Sequence, residues 1–190
     1  MQRIAFTASL LVLAVAAIAQ ADGTPSPGSP AQQCRTERAA MGVTVFKATY
    51  GTNRNRSNAF GKCVSKRAKA AKAADKQGSA NAPQKCRAEQ SDPNFPATHD
   101  GKTFTQFYGT NANGKNAFGK CVSKKAREES LTTQQKQVDA DINAARACRA
   151  ERKSIGTDAF DKKYATNRNR SNAFGKCVSK KAHELQSKKT

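Results

Sequence analysis

The segment TNRNRSNAFGKCVSK occupies residues 52–66 and recurs without a change at residues 166–180. A looser copy, TNANGKNAFGKCVSK, occupies residues 110–124. Repetition of this kind is typical of chains built from repeated supersecondary units. The repeated segment therefore divides the chain into three modules, and the fold can be argued from the features that the modules share.

Each module contains two of the six cysteines, one in a CRxE motif at its start and one inside NAFGKCVSK. No CxxC spacing occurs and neither histidine lies in the repeated segment, so a disulfide framework is favoured over a metal site. Pairing within each module makes every module self-sufficient and predicts the bridges Cys34–Cys63, Cys86–Cys121 and Cys148–Cys177. The alternative joins neighbouring modules, with the bridges Cys63–Cys86, Cys121–Cys148 and Cys34–Cys177.

The aromatic residues follow the same register. In each module a phenylalanine precedes a tyrosine by four residues, which places both side chains on one face of a helix. Apolar residues in 174–185 also fall at helical spacing, after Ser171 or Asn172 as the N-cap. The pattern predicts an all-α fold of three tandem small helical modules, each stapled by one disulfide and joined by helical or flexible connectors. The aromatic pairs are Phe46/Tyr50, Phe104/Tyr108 and Phe160/Tyr164.

The remaining segments predict the domain boundaries. An apolar run after Arg3, followed by small residues, predicts a signal peptide, and the alternative is an uncleaved N-terminal anchor. Gly78 and Pro83 are expected to break the helix that leaves module 1, and the insertion at residues 91–96 is predicted to be a surface loop. The predicted divisions are a signal peptide at 1–21, a flexible Pro/Gly/Ser linker at 22–33, module 1 at 34–77, a linker at 78–85, module 2 at 86–130, a helical connector at 131–147 and module 3 at 148–190.

A glycine follows the phenylalanine of NAFGKCVSK in all three copies, at Gly61, Gly119 and Gly175. Glycine costs about 1 kcal/mol relative to alanine inside a helix, so its repetition indicates a requirement for close approach. The favoured interpretation is packing of another segment's backbone against the helix. The alternative is access for a ligand near the helix N-terminus.

The formal net charge is +20, which favours contact with anionic surfaces or polymers. The sharpest basic cluster lies at the entrance of the NAFGKCVSK helix in modules 1 and 3, where arginines and lysines are suited to bind an anion. The alternative is a solvated basic face without a ligand. The middle copy lacks the arginines and is expected to contribute less. The candidate anion-binding residues are Arg54, Arg56, Lys62, Lys66, Arg168, Arg170, Lys176 and Lys180.

No catalytic, metal or cofactor site is predicted. The repeated serines Ser65, Ser123 and Ser179 have no histidine in the repeated segment to act as a base. A calcium loop starting at Asn111 is rejected because carboxylates are missing and Val122 stands where a bidentate glutamate is needed. The glutamate of CRxE is attributed to pairing with arginines on the helix surface. We therefore do not expect an enzyme.

The pattern C…FxxxY…NAFGKCVS resembles that of uncharacterised exported bacterial proteins with tandem cysteine-paired repeats. The resemblance covers all three modules, and it implies a location in the bacterial envelope or outside the cell but no particular activity.

Charge and repetition predict a secreted or cell-envelope protein that binds polyanions by multivalent electrostatic contact. The expected partner is an anionic polymer, such as an envelope polysaccharide or extracellular DNA, and nucleic acid would be bound without sequence specificity. A membrane surface is the other partner considered, and no cofactor is expected. The alternatives are a structural envelope or matrix protein with no specific ligand, and a cationic membrane-active protein.

Overall fold

The computed structural model describes residues 27–187, so the predicted signal peptide at 1–21 lies outside the described residues. Residues 27–187 form eight helices and no strand, which confirms the all-α prediction. Among residues 27–187, none of the helices combines the length and the hydrophobicity of a membrane-spanning segment. The helices are α1 (Pro30–Met41), α2 (Val43–Tyr50), α3 (Ala59–Gln90), α4 (Phe95–Thr98), α5 (Phe104–Tyr108), α6 (Ala117–Ile155), α7 (Thr157–Tyr164) and α8 (Ala173–Ser187).

Each module is closed by its own disulfide. The pairing within modules is confirmed and the pairing between modules is excluded, because sulfur–sulfur bonds join Cys34 to Cys63, Cys86 to Cys121 and Cys148 to Cys177. The bridges span 29, 35 and 29 residues. Closing loops of this length stabilises a fold by on the order of 3 to 4 kcal/mol each in the chain-entropy model.

The aromatic pairs lie on one helix face, as their spacing predicts. The ring centroids are 5.0 Å apart in Phe46/Tyr50 and in Phe104/Tyr108, and 4.9 Å apart in Phe160/Tyr164. Each pair packs against the module's disulfide and against the alanine that begins the NAFGKCVSK helix. Each aromatic pair thus shares a core with its disulfide, and the core of module 3 also includes Met41 of α1 and residues of α6 such as Val138.

The insertion in module 2 is not simply a surface loop. Phe95, the first residue of α4, is only 2% exposed and packs against the rings of Phe104 and Phe107, with centroids 5.6 and 5.8 Å away. The prediction of a surface loop is therefore wrong at Phe95. The physical reason is that α5 has five residues, whereas α2 and α7 have eight, and Phe95 adds an aromatic ring to this smaller core.

Helix α1 begins inside the segment that was predicted to be a flexible linker. Ser29 caps the helix in a capping box with Gln32, and Pro30 occupies the first turn, where its missing amide hydrogen is not needed. Gln33 is 2% exposed. The linker prediction for residues 22–33 is therefore wrong at 30–33, and residues 22–26 of that segment lie outside the described residues.

Two long helices cross the predicted module boundaries. Helix α3 runs without a break through residues 78–85, so the predicted linker there is wrong, and α6 contains the whole predicted connector 131–147. Gly78 is buried against α6, where an added Cβ would come within 2.4 Å of the Ala126 carbonyl oxygen. Ala82 is fully buried nearby. Close packing of α3 on α6 therefore outweighs the low helix propensity of Gly78 and Pro83.

Helices α3 and α6 are antiparallel, and they are the two longest helices of the described chain. Arg67, near the start of α3, contacts Asp141 in the second half of α6. Near the other end of α3, Cys86 is bonded to Cys121 in the first turns of α6. This arrangement returns the chain to module 1 before module 3 begins, so modules 1 and 3 become neighbours.

Modules 1 and 3 are in direct contact. Val45 and Ala48 of α2 pack against the core of module 3, and a Cβ on Gly175 would lie 2.9 Å from the Thr49 carbonyl oxygen. The packing interpretation of the repeated glycine is therefore confirmed at Gly175. It is wrong at the other two copies, Gly61 and Gly119, because an added Cβ there would meet nothing within 4 Å.

Candidate anion-binding site

Asparagines shape the loop that precedes each NAFGKCVSK helix. In module 1, the Asn58 amide donates to Thr52 Oγ1 at 2.8 Å, and its Oδ1 accepts from the Thr52 backbone N–H at 3.0 Å. Asn55 Oδ1 accepts from the backbone N–H of Ser57 at 3.1 Å. The same bonds recur between Asn116 and Thr110, Asn113 and Lys115, Asn172 and Thr166, and Asn169 and Ser171.

These bonds change the role predicted for the residue before the helix. Asn172 precedes α8 directly, but its side chain accepts from the Thr166 N–H and does not cap the helix amides. Asn58 occupies the N-cap position of α3 and likewise makes no side-chain capping bond. Of the two residues predicted to mark the start of α8, Ser171 and Asn172, the N-cap position belongs to Asn172, whose carbonyl oxygen accepts from the Lys176 N–H at 3.0 Å, while its side chain bonds Thr166 in the loop.

The loop arginines include one in a strained backbone conformation in each of modules 1 and 3. Arg56 has a φ of 55° and Arg170 a φ of 53°, whereas module 2 has Gly114 at the same position, with a φ of 64°. The left-handed region costs a residue with a Cβ roughly 1 to 2 kcal/mol and costs glycine little. Since module 2 forms the same loop with glycine, the arginine side chains are not needed to form it.

The loops of modules 1 and 3 lie side by side. Arg56 donates from Nη2 to the Ser171 carbonyl oxygen at 3.0 Å, across 115 residues of sequence. Arg54, Arg168 and Arg170 are exposed. Within residues 27–187, none of these four arginines has a carboxylate within ion-pair distance. We call residues 52–58 and 166–172 the loop pair.

The predicted lysines differ in their surroundings. Lys62, Lys176 and Lys180 are exposed and form no ion pair in the described part of the chain. Lys66 is different, because its ammonium lies 2.7 Å from the Asp141 carboxylate. Lys66 already has a counter-charge, so the loop pair with the other three lysines forms the unpaired part of the predicted site.

Beside Lys66 lies a buried ionic cluster that the sequence interpretation missed. Arg67 is 1% exposed, and it donates from Nε to Glu37 and from Nη2 to Asp141 at 2.5 Å. The hydroxyl of Tyr50 also donates to Glu37. Burial raises the pKa of Glu37, and the bonds from Arg67 and Tyr50 oppose that rise. The surface-pairing interpretation of the CRxE glutamate is therefore wrong in module 1.

In every module a glutamate carboxylate is bound by a tyrosine hydroxyl and by a basic side chain, as Glu37 is bound by Tyr50 and Arg67. In module 2, Glu89 accepts from the Tyr108 hydroxyl at 2.7 Å and from the Lys125 ammonium at 2.6 Å. Burial acts to raise the pKa of Glu89, but these two bonds outweigh it and the pKa lies below its ordinary value. The signals were in the sequence: the glutamate of CRxE, the tyrosine of FxxxY, and a basic residue four positions after the second cysteine.

In module 3 the corresponding carboxylate is Glu151. It accepts from the Tyr164 hydroxyl at 2.9 Å and lies 2.7 Å from Lys163 and 3.0 Å from Lys181. The bond from Lys163, with those from Lys181 and Tyr164, lowers the pKa of Glu151 to about 2. These tyrosine, glutamate and cation groups join separate helices within each module.

A cavity of about 280 Å³ between α3, α6 and α8 brings Ser179, His183 and Asp141 to one place. These are the residue types of a hydrolase triad, but the Asp141 carboxylate is bound by Lys66 and Arg67. No hydrogen bond joins Ser179 to His183 among the described residues. The triad geometry of nucleophile, base and orienting acid is therefore not formed. No group of His, Cys, Asp and Glu side chains in residues 27–187 is placed to hold a metal ion.

Comparison with known proteins finds no matching family model, no similar curated protein and no similar solved structure.

Proposed function

We propose that this protein binds polyanions by multivalent electrostatic contact, and that the loop pair is its principal contact surface. The observation that carries the proposal is the junction of the two loops. The loops of modules 1 and 3 are far apart in sequence and touch where Arg56 bonds Ser171, and together they carry four arginines without a carboxylate partner in the described chain.

The chemistry of arginine supports this role. A guanidinium presents several N–H donors in a plane and forms paired bonds with carboxylate, phosphate and sulfate-like groups. The left-handed backbone of Arg56 and Arg170 adds a second argument, because strain that a glycine would relieve is commonly kept where the side chain has a function. Polyanion binding also releases condensed counterions, so affinity falls steeply with salt.

The proposed setting is outside the cytoplasm, in the cell envelope or beyond it. All six cysteines are paired, and disulfides of this kind persist in oxidising compartments. The proposed ligand is therefore an anionic envelope polymer or extracellular nucleic acid, and the proposed role is binding without catalysis.

Module 2 supplies the test of the loop pair. Replacing Arg54 and Arg168 by Ala, and Arg56 and Arg170 by Gly, gives both loops the residues that module 2 has at Ala112 and Gly114. Because module 2 keeps the same asparagine bonds with those residues, this loop variant should fold. We expect its affinity for heparin and for single-stranded DNA to fall by on the order of tenfold or more at low salt, with a shallower dependence on salt.

A matched control removes the same charge elsewhere. Arg35, Arg38, Arg87 and Arg127 are exposed and form no ion pair in residues 27–187, and all four can be replaced by Ala. We expect this control to bind much more tightly than the loop variant. Equal losses in the two variants would refute the loop pair as a site and leave only diffuse charge. Binding that does not weaken with salt would refute the polyanion proposal itself.

The two rival functions predict other results. A membrane-active protein should release dye from anionic vesicles, and the loop variant should retain that activity. A purely structural protein should show neither salt-dependent polymer binding nor vesicle leakage.

A further inference from the structure

A second group of cations lies at the C-terminal end of α6, away from the loop pair in sequence. Arg146, Arg149, Arg152 and Lys153 line a surface concavity of about 590 Å³, together with Ala150 and Thr157. At 100° per residue, Arg146, Arg149 and Lys153 fall within about 60° of one another around the helix, and Arg152 flanks them. We call these four cations the basic face.

The basic face has no counter-charge of its own. Within the described residues none of its four cations forms an ion pair, and the one polar contact is a weak one from Arg146 to the Asn143 amide oxygen at 3.5 Å. The neighbouring acid Glu151 is taken by Lys163 and Lys181. The cations are therefore free to meet an outside anion.

Stability of the helix does not explain all four positions. Arg152 and Lys153 lie in the last turn of α6, where cations interact favourably with the helix dipole. Arg146 and Arg149 lie before that turn, beyond the range of this effect. Like charges three and four residues apart on a helix destabilise it by a few tenths of a kcal/mol per pair. The four cations of the basic face therefore repel one another in the free protein, and a bound anion would relieve this repulsion.

The basic face belongs to module 3 alone. The positions of Arg146, Arg152 and Lys153 are occupied in module 1 by Gln32, Arg38 and Ala39, and in module 2 by Gln84, Gln90 and Ser91. Only the arginine that follows the cysteine, Arg149 in module 3, is shared by all three modules. Since all modules form a helix here, the extra cations are not required by the fold.

We propose that the basic face is a separate binding site for a ligand that carries at least two tetrahedral oxyanion groups in series, as in a chain of phosphates. Arg146 and Lys153 are seven residues apart, which places them about 10 Å apart along the helix axis. One oxyanion cannot reach both ends of that span, whereas the guanidinium groups of Arg146 and Arg149 and the ammonium of Lys153 at the far end match successive phosphate or sulfate groups. The hydroxyl of Thr157 adds a donor at the rim.

The test uses the full mature chain with its disulfides intact and measures calorimetric binding of inorganic tripolyphosphate. The face variant Arg146→Gln, Arg152→Gln, Lys153→Ala takes residues that the other modules have in helices at these positions, so it should fold. We expect it to bind tripolyphosphate on the order of tenfold or more weakly than the wild type. The same measurement is made with a sulfated tetrasaccharide. The ligand whose affinity falls more in the face variant shows whether the site prefers phosphate or sulfate groups.

Three controls make the result decisive. The variant Arg35→Gln, Arg87→Gln, Lys72→Ala removes equal charge elsewhere and should bind almost as the wild type does. The loop variant described above should keep its tripolyphosphate affinity, so failure of the loop pair and failure of the basic face give different results. A variant with Arg146, Arg149 and Arg152 changed to Lys should bind several-fold more weakly. The site is refuted if the face variant binds both ligands as tightly as the wild type, or if the Lys variant is unchanged.

Discussion

The basic residue four positions after the second cysteine of each module has a different environment in each copy. Arg67 is buried between two carboxylates, whereas Lys125 and Lys181 each contact one carboxylate, with side chains 24% and 29% exposed. A guanidinium has five N–H donors in a rigid plane and can serve Glu37 and Asp141 together, which an ammonium in a buried position does less well. The residue type therefore follows from the number of acids that surround it.

At the residue scale, Glu151 predicts a dependence of stability on pH. Its pKa in the folded protein is about 2, against an ordinary value of 4.5. A lowered carboxyl pKa contributes stability that is present above the unfolded pKa and is lost as the pH falls through the folded one. We therefore expect the free energy of unfolding to fall between about pH 4.5 and pH 2 through this group.

Chemical denaturation of the wild type and of Glu151→Gln across pH 2 to 6 measures this contribution. The glutamine keeps an acceptor for Tyr164 and removes the charge that pairs with the lysines. The difference in unfolding free energy should be largest above pH 4.5 and should shrink towards pH 2. A difference that stays constant over this range would show that the ionised carboxylate is not the stabilising species.

At the scale of helices, the glycines separate positions where backbones touch from positions where they do not. Helix α8 packs against the end of α2 at Gly175, and α3 packs against α6 at Gly78. The equivalent glycine of α3, Gly61, faces open space. One residue type in similar helices thus marks close helix contacts at some positions and none at others, and only the packing of the helices distinguishes them.

Three alanine substitutions test this difference. Gly78→Ala places a Cβ 2.4 Å from a backbone oxygen of Ala126, and Gly175→Ala places one 2.9 Å from that of Thr49. Both should destabilise the protein, Gly78→Ala the more, because backbone atoms must move to relieve the clash. Gly61→Ala is the control and should stabilise by up to about 1 kcal/mol through helix propensity. Denaturation midpoints would contradict the packing if Gly175→Ala were as stabilising as Gly61→Ala.

At the scale of the whole molecule, the long helices make the three modules one body with shared contacts. Helix α6 belongs to module 2 at one end and to module 3 at the other, and between them it supplies Asp141 to the buried cluster of module 1. Gln33 of α1 also bonds Gln134 of α6 at 2.9 Å. The loop pair exists only because these contacts bring module 1 back to module 3.

Removal of Asp141 should therefore have a large effect. Asp141→Ala leaves the buried Arg67 paired with Glu37 alone, and loss of a buried hydrogen bond to a charged group costs about 1.5 to 3 kcal/mol, less than the cost of leaving Arg67 with no partner. Glu129→Ala is the control, since Glu129 pairs with the exposed Lys85 and a surface pair contributes about 1 kcal/mol or less. The measurement is the free energy of unfolding with disulfides intact. Similar losses in both variants would argue against a strongly coupled cluster.

Much of the local structure could be predicted from the sequence, because it depends on spacing along the chain. The i, i+4 aromatic pairs, the helical register of NAFGKCVSK and the position of one cysteine at each end of a module lead to an all-α fold with the three disulfides that the structure contains. The positions of the basic loops could also be inferred, since modules 1 and 3 have asparagine and arginine at the same positions of the repeated segment.

The features that the sequence did not predict depend on contacts between segments far apart in the chain. Gly78 and Pro83 are helix-breaking by propensity, and they stay helical because α6 packs against α3. Arg67 looks like one more surface cation, and it is buried because Glu37 and Asp141 converge on it. Helix propensity costs about 1 kcal/mol at Gly78 and about 3 kcal/mol at Pro83, whereas each large buried side chain contributes about 2 to 5 kcal/mol, so the spacing of residues along the chain leads to the modules and the packing of distant helices leads to the way they are joined.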